Sequence, residues 1–518
     1  MSRQLTRRSE RIGQLAGQLA GLAGRHWLFL LFFVLGTALR AMVQLTYQPV
    51  LFAFFDSFAY FNHVYGPPPD SQRPLGYPIG FMRPLLLTGQ VAVIPLVQHL
   101  LGLGMALAIY AMLVRRGVRG WLSALAVAPV LLDGYQLQIE QAIASDPLFQ
   151  ALVVAALVLM AWRRRPSPVV VACAGLLIGA AATVRFVGLP LLVVPLLYVL
   201  VVNPGWWRRV VAAGALVAPA VLPLLVYSSW TYAHTGDFRP GGDQMSARAL
   251  HARVSPFADC GALAADGAPA YVVGICPDAP RSERPQSPKY YMRQTLLGKP
   301  DVDLPPGVDV NGARREFGRR VVLNQPVDMT KAVVDDFLRG FAWQRIRKPG
   351  EYSLEVWRFD AQVRPPKTDH KWAVLRKYGE EPTVNPSAGS FLRDYQSIVY
   401  TRGPMFAAGL IIPLLAAIGL GGARRSDLRT PALLVAGTCA MLLLTAAAFT
   451  FSWRYQLPSI PLLPWSAALG LAALFPGALR ARPTNDVENT PDPENRPGED
   501  ADGGAHHGRE RAEHHGLR

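Results

Sequence analysis

Residues 163–209 read RRRPSPVVVACAGLLIGAAATVRFVGLPLLVVPLLYVLVVNPGWWRR. Two apolar blocks, 168–184 and 186–203, are separated by the single Arg185 and flanked on both sides by clusters of arginine. Each block has roughly the 17–25 residues that an α-helix needs to cross a hydrocarbon core of about 30 Å. The stretch therefore predicts two membrane-spanning helices joined by a tight turn at Arg185.

The same pattern recurs along the 518-residue chain, which is 51% hydrophobic and only 17% charged. Ordinary soluble domains carry about 25% charged residues, and their helices seldom stay apolar on every face for a whole span. We therefore predict an all-α polytopic membrane protein and exclude a soluble one. Its ten predicted spans lie at about 26–44, 94–114, 120–134, 147–162, 168–184, 186–203, 210–228, 403–421, 430–450 and 458–476.

The arginine clusters predict the orientation of these spans. They lie before span one and after spans two, four, six, eight and ten, so that all of them fall on one side of the membrane. The positive-inside rule assigns that side to the cytoplasm, together with both chain termini. The net charge of +16 does not indicate nucleic-acid binding, because the basic residues separate apolar blocks and form no patch. We predict a multi-pass protein of the plasma membrane.

The segments between spans predict the domain organisation. They give a cytoplasmic segment at 1–25, spans one to seven at 26–228 with a first outer loop at 45–93, an extracytoplasmic α-rich domain at 229–402, spans eight to ten at 403–476 and a disordered cytoplasmic tail at 477–518. Within the extracytoplasmic domain, 310–323 and 327–342 have the pattern of amphipathic helices. The same domain contains Cys260 and Cys276, which we predict to form a disulfide because the outer face is oxidising.

Candidate functional residues lie in the outer segments. In the first outer loop, Asp56, Tyr60 and His63 share one helical face at positions i, i+4 and i+7. Asp56 is a candidate general base for a hydroxyl acceptor, and its aromatic surroundings are expected to raise its pKa by desolvation. A helix-capping role for Asp56 is the alternative, since Asp-Ser before an apolar helix is favourable capping chemistry.

Further polar residues are predicted at the same membrane surface. Charged groups at span ends are informative, because burying them near hydrocarbon without a role or a partner is costly. Asp146 precedes an apolar helix with Pro147 next to it, which leaves catalysis and capping both open. Arg185 is a candidate ligand for lipid phosphate, either in the bilayer or on a bound lipid. The other candidates on this surface are Tyr77, Arg83, Asp133, Glu140, Arg454 and Tyr455.

The order of these pieces resembles the membrane glycosyltransferases of the GT-C fold that use polyprenyl-phosphate sugars. Examples are the dolichyl-phosphate-mannose protein mannosyltransferases and the lipid A aminoarabinose transferases. The resemblance covers roughly residues 26–230 and 400–476. It rests on FFDSFAYF (54–61), GYPIGF (76–81), SDPLF (145–149), VRFVGLPLL (184–192) and RYQLPSIPLL (454–463).

The resemblance implies a transferase that cleaves a polyprenyl-phosphate sugar at its anomeric carbon, with inversion, and passes the sugar to an extracytoplasmic glycan, lipid or protein. Asp56 would take the acceptor proton, with Asp146 as the second catalytic candidate. Arg83, Arg185 and Arg454 are implied to neutralise the leaving phosphate, so we expect neither a cofactor nor a metal. The substrate-binding candidates are Tyr60, His63, Tyr77 and Tyr455.

The chain differs from that family in three respects. The acidic pair of the first outer loop is Asp56-Ser57 here, where the family has Asp-Glu, and the outer domain lies between spans seven and eight, where the family has it after the last span. The first outer loop also contains no lysine, so we expect Arg73, Arg83 or His63 to bind phosphate in its place.

Two other classes of function remain open. A polymerase or ligase of surface polysaccharide would also have many spans and a large outer segment, but would depend on arginine and histidine in that segment. A transporter or flippase of lipid-linked sugars would be expected to show internal repeats, broken helices or charges in mid-span. The sequence shows no repeat and places its charges near the ends of spans, which favours the transferase.

Overall fold

The structure is a computed structural model that describes residues 2–51, 55–65, 73–240, 243–293, 304–363 and 381–479. The disordered tail predicted at 477–518 lies almost entirely outside these residues, as do parts of the first outer loop at 52–54 and 66–72. The β-structure among the described residues is one antiparallel pair of strands, Tyr47–Gln48 with Thr383–Val384, and two isolated bridges.

The first half of the chain forms a bundle of apolar helices. Helical turns at Pro78–Met82, Arg83–Leu85 and Leu86–Thr88 follow the second helix, and a 3₁₀ turn at Phe186–Leu192 precedes the eighth. The longer helices are α1 (Ser2–Thr46), α2 (Phe55–Tyr65), α3 (Val93–Arg115), α4 (Gly120–Leu132), α5 (Gly134–Gln141), α6 (Asp146–Ala161), α7 (Pro168–Val184), α8 (Val193–Val202) and α9 (Trp206–Thr235).

The second half contains a polar connecting segment (residues 236–402) and the last helices of the bundle. The connecting segment contains α10 (Asp243–Val254), α11 (Cys260–Ala265), α12 (Ala270–Gly274), α13 (Pro288–Arg293), α14 (Val310–Asn324), α15 (Pro326–Arg339) and α16 (Pro386–Ile398). The bundle closes with α17 (Gly403–Ala417), α18 (Arg429–Phe449) and α19 (Ser459–Leu474), and a 3₁₀ turn at Trp453–Gln456 precedes α19. The amphipathic helices predicted at 310–323 and 327–342 are therefore confirmed as α14 and α15.

Five helical stretches are long and apolar enough to cross a membrane: Gly24–Thr46, Val93–Arg115, Trp206–Thr235, Arg429–Phe449 and Trp453–Leu474. Two bent pairs, α4 with α5 and α16 with α17, raise the number to seven if each pair is one span. The chain is thus an all-α membrane protein. Each of the ten predicted blocks contains a helix, but α6, α7 and Phe186–Val202 are shorter than a full span.

Arginines from the loops after α3 and α6 meet the loop before α18 at one end of the bundle. Arg116 and Arg164 bind the carboxylate of Asp427 at 3.0 and 2.6 Å. From this end, α6 runs back from Ala161 to Asp146, a length of about 24 Å at 1.5 Å per residue. The bundle therefore has an arginine-rich end and an opposite end, which we call the site end.

Two glycines determine the closest helix packing in the bundle. A Cβ atom at Gly175 would lie 2.1 Å from the carbonyl oxygen of Leu216, and one at Gly179 would lie 2.1 Å from that of Ala220. Glycines four residues apart on α7 thus allow its backbone to touch that of α9, as in the small-residue interfaces of other membrane helices. This contact holds Arg185, the residue that follows α7, in a fixed position at the site end.

The two bent helix pairs meet each other near the site end. Asp133, at the break between α4 and α5, accepts hydrogen bonds from the backbone N–H groups of Tyr135 at 2.8 Å and Thr401 at 2.6 Å. Gly134 donates to the carbonyl of Val399, which lies in the break between α16 and α17. Each break exposes backbone groups that water cannot reach inside a membrane, so each supplies partners for the other.

The connecting segment has a small hydrophobic core of its own and contains a buried ion pair. Arg253 of α10 binds Asp336 of α15 at 2.7 Å, and the same arginine contacts the bundle by donating to the carbonyl of Phe449 at the end of α18. The core is built by α10, α11, α12 and α14, with Val254, Phe257, Leu263, Val272, Phe317 and Val321 among its buried residues.

Cys260 and Cys276 form a disulfide in the structure, with their Cα atoms 6.3 Å apart. Mass spectrometry of peptides from the purified, unreduced protein is expected to recover the two residues linked. Closing a loop with a sequence separation of 16 residues stabilises a fold by about 3 kcal/mol in the chain-entropy model, so the Cys260→Ser variant should unfold at a lower temperature. Recovery of both thiols in alkylated form would contradict the prediction.

Candidate functional site

Five charged side chains form one cluster at the site end of the bundle: Asp56, Arg73, Asp146, Arg185 and Arg454 (the ion-pair cluster). Arg454 lies at its centre, with Nη1 2.5 Å from Asp56 and Nε 2.9 Å from Asp146. Arg185 binds the other oxygen of Asp146 at 2.7 Å, and Arg73 binds Asp56 at 2.8 Å. The cluster thus joins residues that are 308 and 398 positions apart in the sequence.

Helix ends position each member of the cluster. Asp56 lies in the first turn of α2 and Asp146 is the first residue of α6, where the positive end of the helix dipole favours a carboxylate. Arg185 follows the last residue of α7, and Arg454 lies in the 3₁₀ turn that precedes α19. Neighbouring antiparallel helices bring the start of one helix beside the end of the next. The cluster therefore forms at the site end of the bundle.

Two aspartates at the site end have different roles: one caps a helix and the other forms ion pairs. Asp133 is the capping residue, since its carboxylate accepts the N–H groups at the start of α5. Asp146 makes no capping hydrogen bond; Ser145 is the N-cap of α6, and the Asp146 carboxylate faces Arg185 and Arg454. The capping alternative for Asp146 is therefore not the arrangement observed.

Aromatic and hydroxyl side chains surround the ion-pair cluster. The hydroxyl of Tyr60 lies 3.0 Å from that of Ser145, and the Tyr60 ring packs edge-on against Tyr77, whose hydroxyl donates to Gln98 at 2.8 Å. The guanidinium of Arg185 lies 5.7 Å from the centre of the Tyr455 ring. Three of the four predicted substrate-binding aromatic and histidine residues (Tyr60, Tyr77 and Tyr455) thus line or adjoin the cluster.

The charge state of Asp56 differs from the expectation based on its aromatic neighbours. Burial alone raises the pKa of Asp56, but the charges and hydrogen bonds of Arg454 and Arg73 outweigh it and hold the pKa well below its usual range. Burial raises the pKa of Tyr60 to about 12. The prediction of a raised pKa for Asp56 is therefore wrong, because no local pattern indicates that two arginines contact this carboxylate.

Exposure and net charge distinguish the two carboxylates. The side chain of Asp56 is 28% exposed, whereas that of Asp146 is 3% exposed. A molecule at the surface can therefore reach Asp56 but not Asp146. Among the five described members of the cluster, three guanidinium groups face two carboxylates, and an excess of guanidinium groups favours a ligand of negative charge.

The remaining candidates lie apart from the ion-pair cluster. Arg83 is exposed, and among the described residues no carboxylate pairs with it. His63 is partly buried on α2, two turns from Asp56. Glu140 is fully buried in a second polar group, where it binds Arg40 at 2.9 Å and His99 at 2.9 Å. The sequence indicated a position for Glu140 near a span end but not these partners.

Two contributors were not among the sequence-predicted site residues. The sequence suggests Arg73 only as a substitute for a missing lysine. In the structure it forms the second ion pair of Asp56, beside that with Arg454. Ser145 accepts from Arg185 at 3.4 Å and contacts Tyr60. Ser145 directly precedes Asp146 in the motif SDPLF, and this adjacency is the sequence feature that could have indicated its place in the site.

The fold and the cluster together define a polytopic helical membrane protein with a charged site at one end of its bundle. No protein-family model matches the chain, and no characterised protein is significantly similar to it in sequence.

Proposed function

We propose that the chain is a membrane glycosyltransferase that moves a sugar from a polyprenyl-phosphate donor to an extracytoplasmic glycan, lipid or protein. The observation that carries the proposal is the ion-pair cluster, in which the guanidinium groups of Arg73, Arg185 and Arg454 surround the carboxylates of Asp56 and Asp146. A polyprenyl-phosphate sugar is a phosphodiester with one negative charge, which suits a site rich in guanidinium groups. No cofactor is required by this chemistry.

In the proposed reaction the acceptor hydroxyl attacks the anomeric carbon while the bond from that carbon to the phosphate oxygen breaks. Asp56 takes the hydroxyl proton, and the polyprenyl phosphate leaves with the electron pair of the broken bond. The leaving phosphate gains charge as that bond breaks, and fixed guanidinium groups stabilise developing charge at little cost in reorganisation. Of the three arginines, Arg185 and Arg454 are held by Asp146 and are the best positioned for that task.

Competition for the arginines links donor binding to the basicity of Asp56. In the free protein Arg73 and Arg454 hold Asp56 ionised and make it a weak base. A phosphate that binds these guanidinium groups weakens their contacts with Asp56, and its own negative charge raises the pKa of the carboxyl group. Asp56 thereby becomes a stronger base when the donor is present. Asp146, which is buried, acts as a positioning residue that holds Arg185 and Arg454 in place.

The second polar group supports a different candidate, a transporter of lipid-linked sugars. Arg40, His99 and Glu140 are buried together among the helices, and buried ionisable groups are common along transport pathways. Arg40 also donates to the carbonyls of Val130 and Leu131, which the break after α4 leaves without helical partners. This structural use accounts for the group without transport, so the transferase remains the primary proposal.

The decisive test is an assay of membranes or purified protein for sugar release from a synthetic polyprenyl-phosphate donor, in the presence of a cell-envelope extract as acceptor. A transferase consumes the donor in detergent, where no two compartments exist. A transporter leaves the donor intact in detergent and moves it only across sealed vesicles. Donor that stays intact both in detergent and in sealed vesicles would contradict the proposed function.

We also propose ten spans in the plasma membrane, with both termini cytoplasmic and the site end on the outside. The joining of arginine-rich loops at the opposite end of the bundle supports this orientation. A cysteine placed at Ser353 of the connecting segment should react with a membrane-impermeant reagent in intact cells, whereas one placed at Asn485 of the tail should react only after lysis. The reverse pattern would contradict the orientation and, with it, the proposed function.

A further inference from the structure

A second group of arginines lies beside the ion-pair cluster and stacks on aromatic rings. The guanidinium carbon of Arg345 lies 3.7 Å from the centre of the Tyr135 ring and 5.6 Å from that of Tyr400. Arg402 lies 5.6 Å from the centre of the same Tyr400 ring and 5.0 Å from that of Trp343. These five residues are called the stacked-arginine surface. Tyr135 lies in α5, Trp343 and Arg345 follow α15, and Tyr400 and Arg402 lie between α16 and α17.

Within the described part of the chain, no carboxylate forms an ion pair with either arginine of this surface. Asp133 interacts electrostatically with Arg345, but its oxygens are bonded to the backbone N–H groups of Tyr135 and Thr401. By contrast Arg339, which also stacks on aromatic rings close by, is paired with Glu351.

Stacking leaves the binding edge of a guanidinium group available. A ring contact covers one face of the planar group, while its five N–H donors point outward in the plane, in the geometry that suits a carboxylate or a phosphate. The rings also hold the two side chains in place, so that less conformational entropy is lost when an anion binds. The surface therefore has the features of a preorganised oxyanion site.

The surface is directly connected to the ion-pair cluster. Trp453, whose ring centre lies 5.9 Å from the guanidinium of Arg345, precedes Arg454 in the chain. The indole N–H of Trp453 is buried without a hydrogen-bond acceptor among the described residues, so it is a further donor available to a ligand at this junction. The stacked-arginine surface thus adjoins the residue that precedes the central arginine of the cluster.

We propose that the stacked-arginine surface binds an oxyanion, a phosphate or a carboxylate, carried by the acceptor. This inference rests on the proposed function for the identity of the ligand as an acceptor, but not for the existence of the anion site. In the proposed function the arginines of the ion-pair cluster face the donor phosphate, and Arg345 and Arg402 are two further cations next to that cluster.

The anion site is tested by titrating inorganic phosphate against the thermal unfolding of the full chain in nanodiscs of zwitterionic lipid. The double variant Arg345→Gln/Arg402→Gln is compared with the wild type and with Arg315→Gln, an exposed arginine of α14 outside both groups. Each lost charge-assisted hydrogen-bonding group weakens binding by about tenfold or more. We expect the double variant to need at least about tenfold more phosphate for the same stabilisation, and Arg315→Gln to match the wild type.

Two results would overturn the inference. One is a phosphate dependence of the double variant within about threefold of the wild type. The other is a double variant that loses stabilisation by anionic lipid added to the nanodiscs while its phosphate dependence stays unchanged, which assigns the surface to lipid headgroups. If the double glutamine variant does not accumulate, Arg345→Lys/Arg402→Lys keeps the charges without the planar fork, and the same tenfold weakening is expected.

The KM values for donor and acceptor in the transfer reaction test this inference separately from the proposed function. With donor and acceptor both present, the double variant is expected to show an acceptor KM raised about tenfold or more, with an unchanged donor KM. A wild-type protein that transfers no sugar would contradict the proposed function, and the phosphate titration would still decide whether the anion site exists. A raised donor KM with an unchanged acceptor KM would assign the surface to the donor and overturn the inference.

Discussion

The Asp56→Asn variant is expected to fold and accumulate in the membrane but to transfer sugar 10²–10⁴ times more slowly than the wild type, because a general base typically contributes that factor. An asparagine keeps the shape of the side chain and can still accept a hydrogen bond from Arg73, so the fold should persist. Sugar release from the polyprenyl-phosphate donor, per mole of folded protein, measures the effect. Asp394→Asn, at an exposed position of α16 outside the cluster, is the matched control and should be fully active.

Activity within about threefold of the wild type would show that Asp56 is a structural residue, and Asp146 would then be the next carboxylate to test. A loss of protein from the membrane in place of a loss of rate would point to the same conclusion. The capping alternative predicts about 1 kcal/mol of lost stability and no specific loss of rate, so the two roles of Asp56 are distinguishable.

The pH dependence follows from the lowered pKa of Asp56. A carboxyl group whose pKa is lower in the folded state stabilises the fold above its unfolded value near 3.8, and this contribution is lost as the pH falls through the folded pKa. Asp56 in the free protein therefore remains ionised at all pH values from 5 to 8. Its titration should cause no loss of kcat/KM in that range.

The Arg454→Gln variant is expected to be the most destabilised single substitution in the cluster. Removing Arg454 leaves Asp146 buried with one arginine fewer and removes the link to Asp56, and breaking a buried ion pair from one side typically costs about 3–5 kcal/mol. Thermal unfolding in detergent should show a lower midpoint, and transfer should be abolished. Arg315→Gln is the control, because its side chain is exposed on α14 and lies outside the cluster.

A second variant separates stability from chemistry at this position. Arg454→Lys keeps the positive charge but has a single nitrogen where the guanidinium uses three to contact Asp56 and Asp146. We expect it to recover a large part of the stability while transfer stays at least tenfold below the wild type. Full activity of Arg454→Lys would show that the charge alone matters and that the bridging geometry does not.

Apolar block length and arginine spacing were sufficient to predict the helical membrane fold. Each of the ten blocks holds a helix, and the arginine-rich loops gather at one end because helices of similar length alternate in direction. Periodicity does not indicate where a helix bends, so the breaks at Asp133 and between α16 and α17 were not predicted. The bends depend on contacts between segments more than 260 residues apart.

The members of the candidate site were predicted better than their contacts. Asp56, Asp146, Arg185 and Arg454 were each placed at the same surface, because charged residues at the ends of apolar blocks are costly without partners. The pairing of Arg454 with both carboxylates depends on tertiary packing, which no local pattern encodes. For the same reason the sequence suggested a raised pKa for Asp56, whereas two arginines from distant segments lower it.

The mutual bonding of the two helix breaks limits how this architecture can be divided or exchanged. Thr401 and Val399 belong to the chain that leaves the connecting segment, yet they complete the hydrogen bonding of a bundle helix at Asp133 and Gly134. A chimera that grafts the connecting segment of another protein between α9 and α17 therefore has to retain this joint. Without it, the graft leaves one carboxylate oxygen of Asp133 and the backbone N–H of Gly134 without these partners, and the modules are not interchangeable parts.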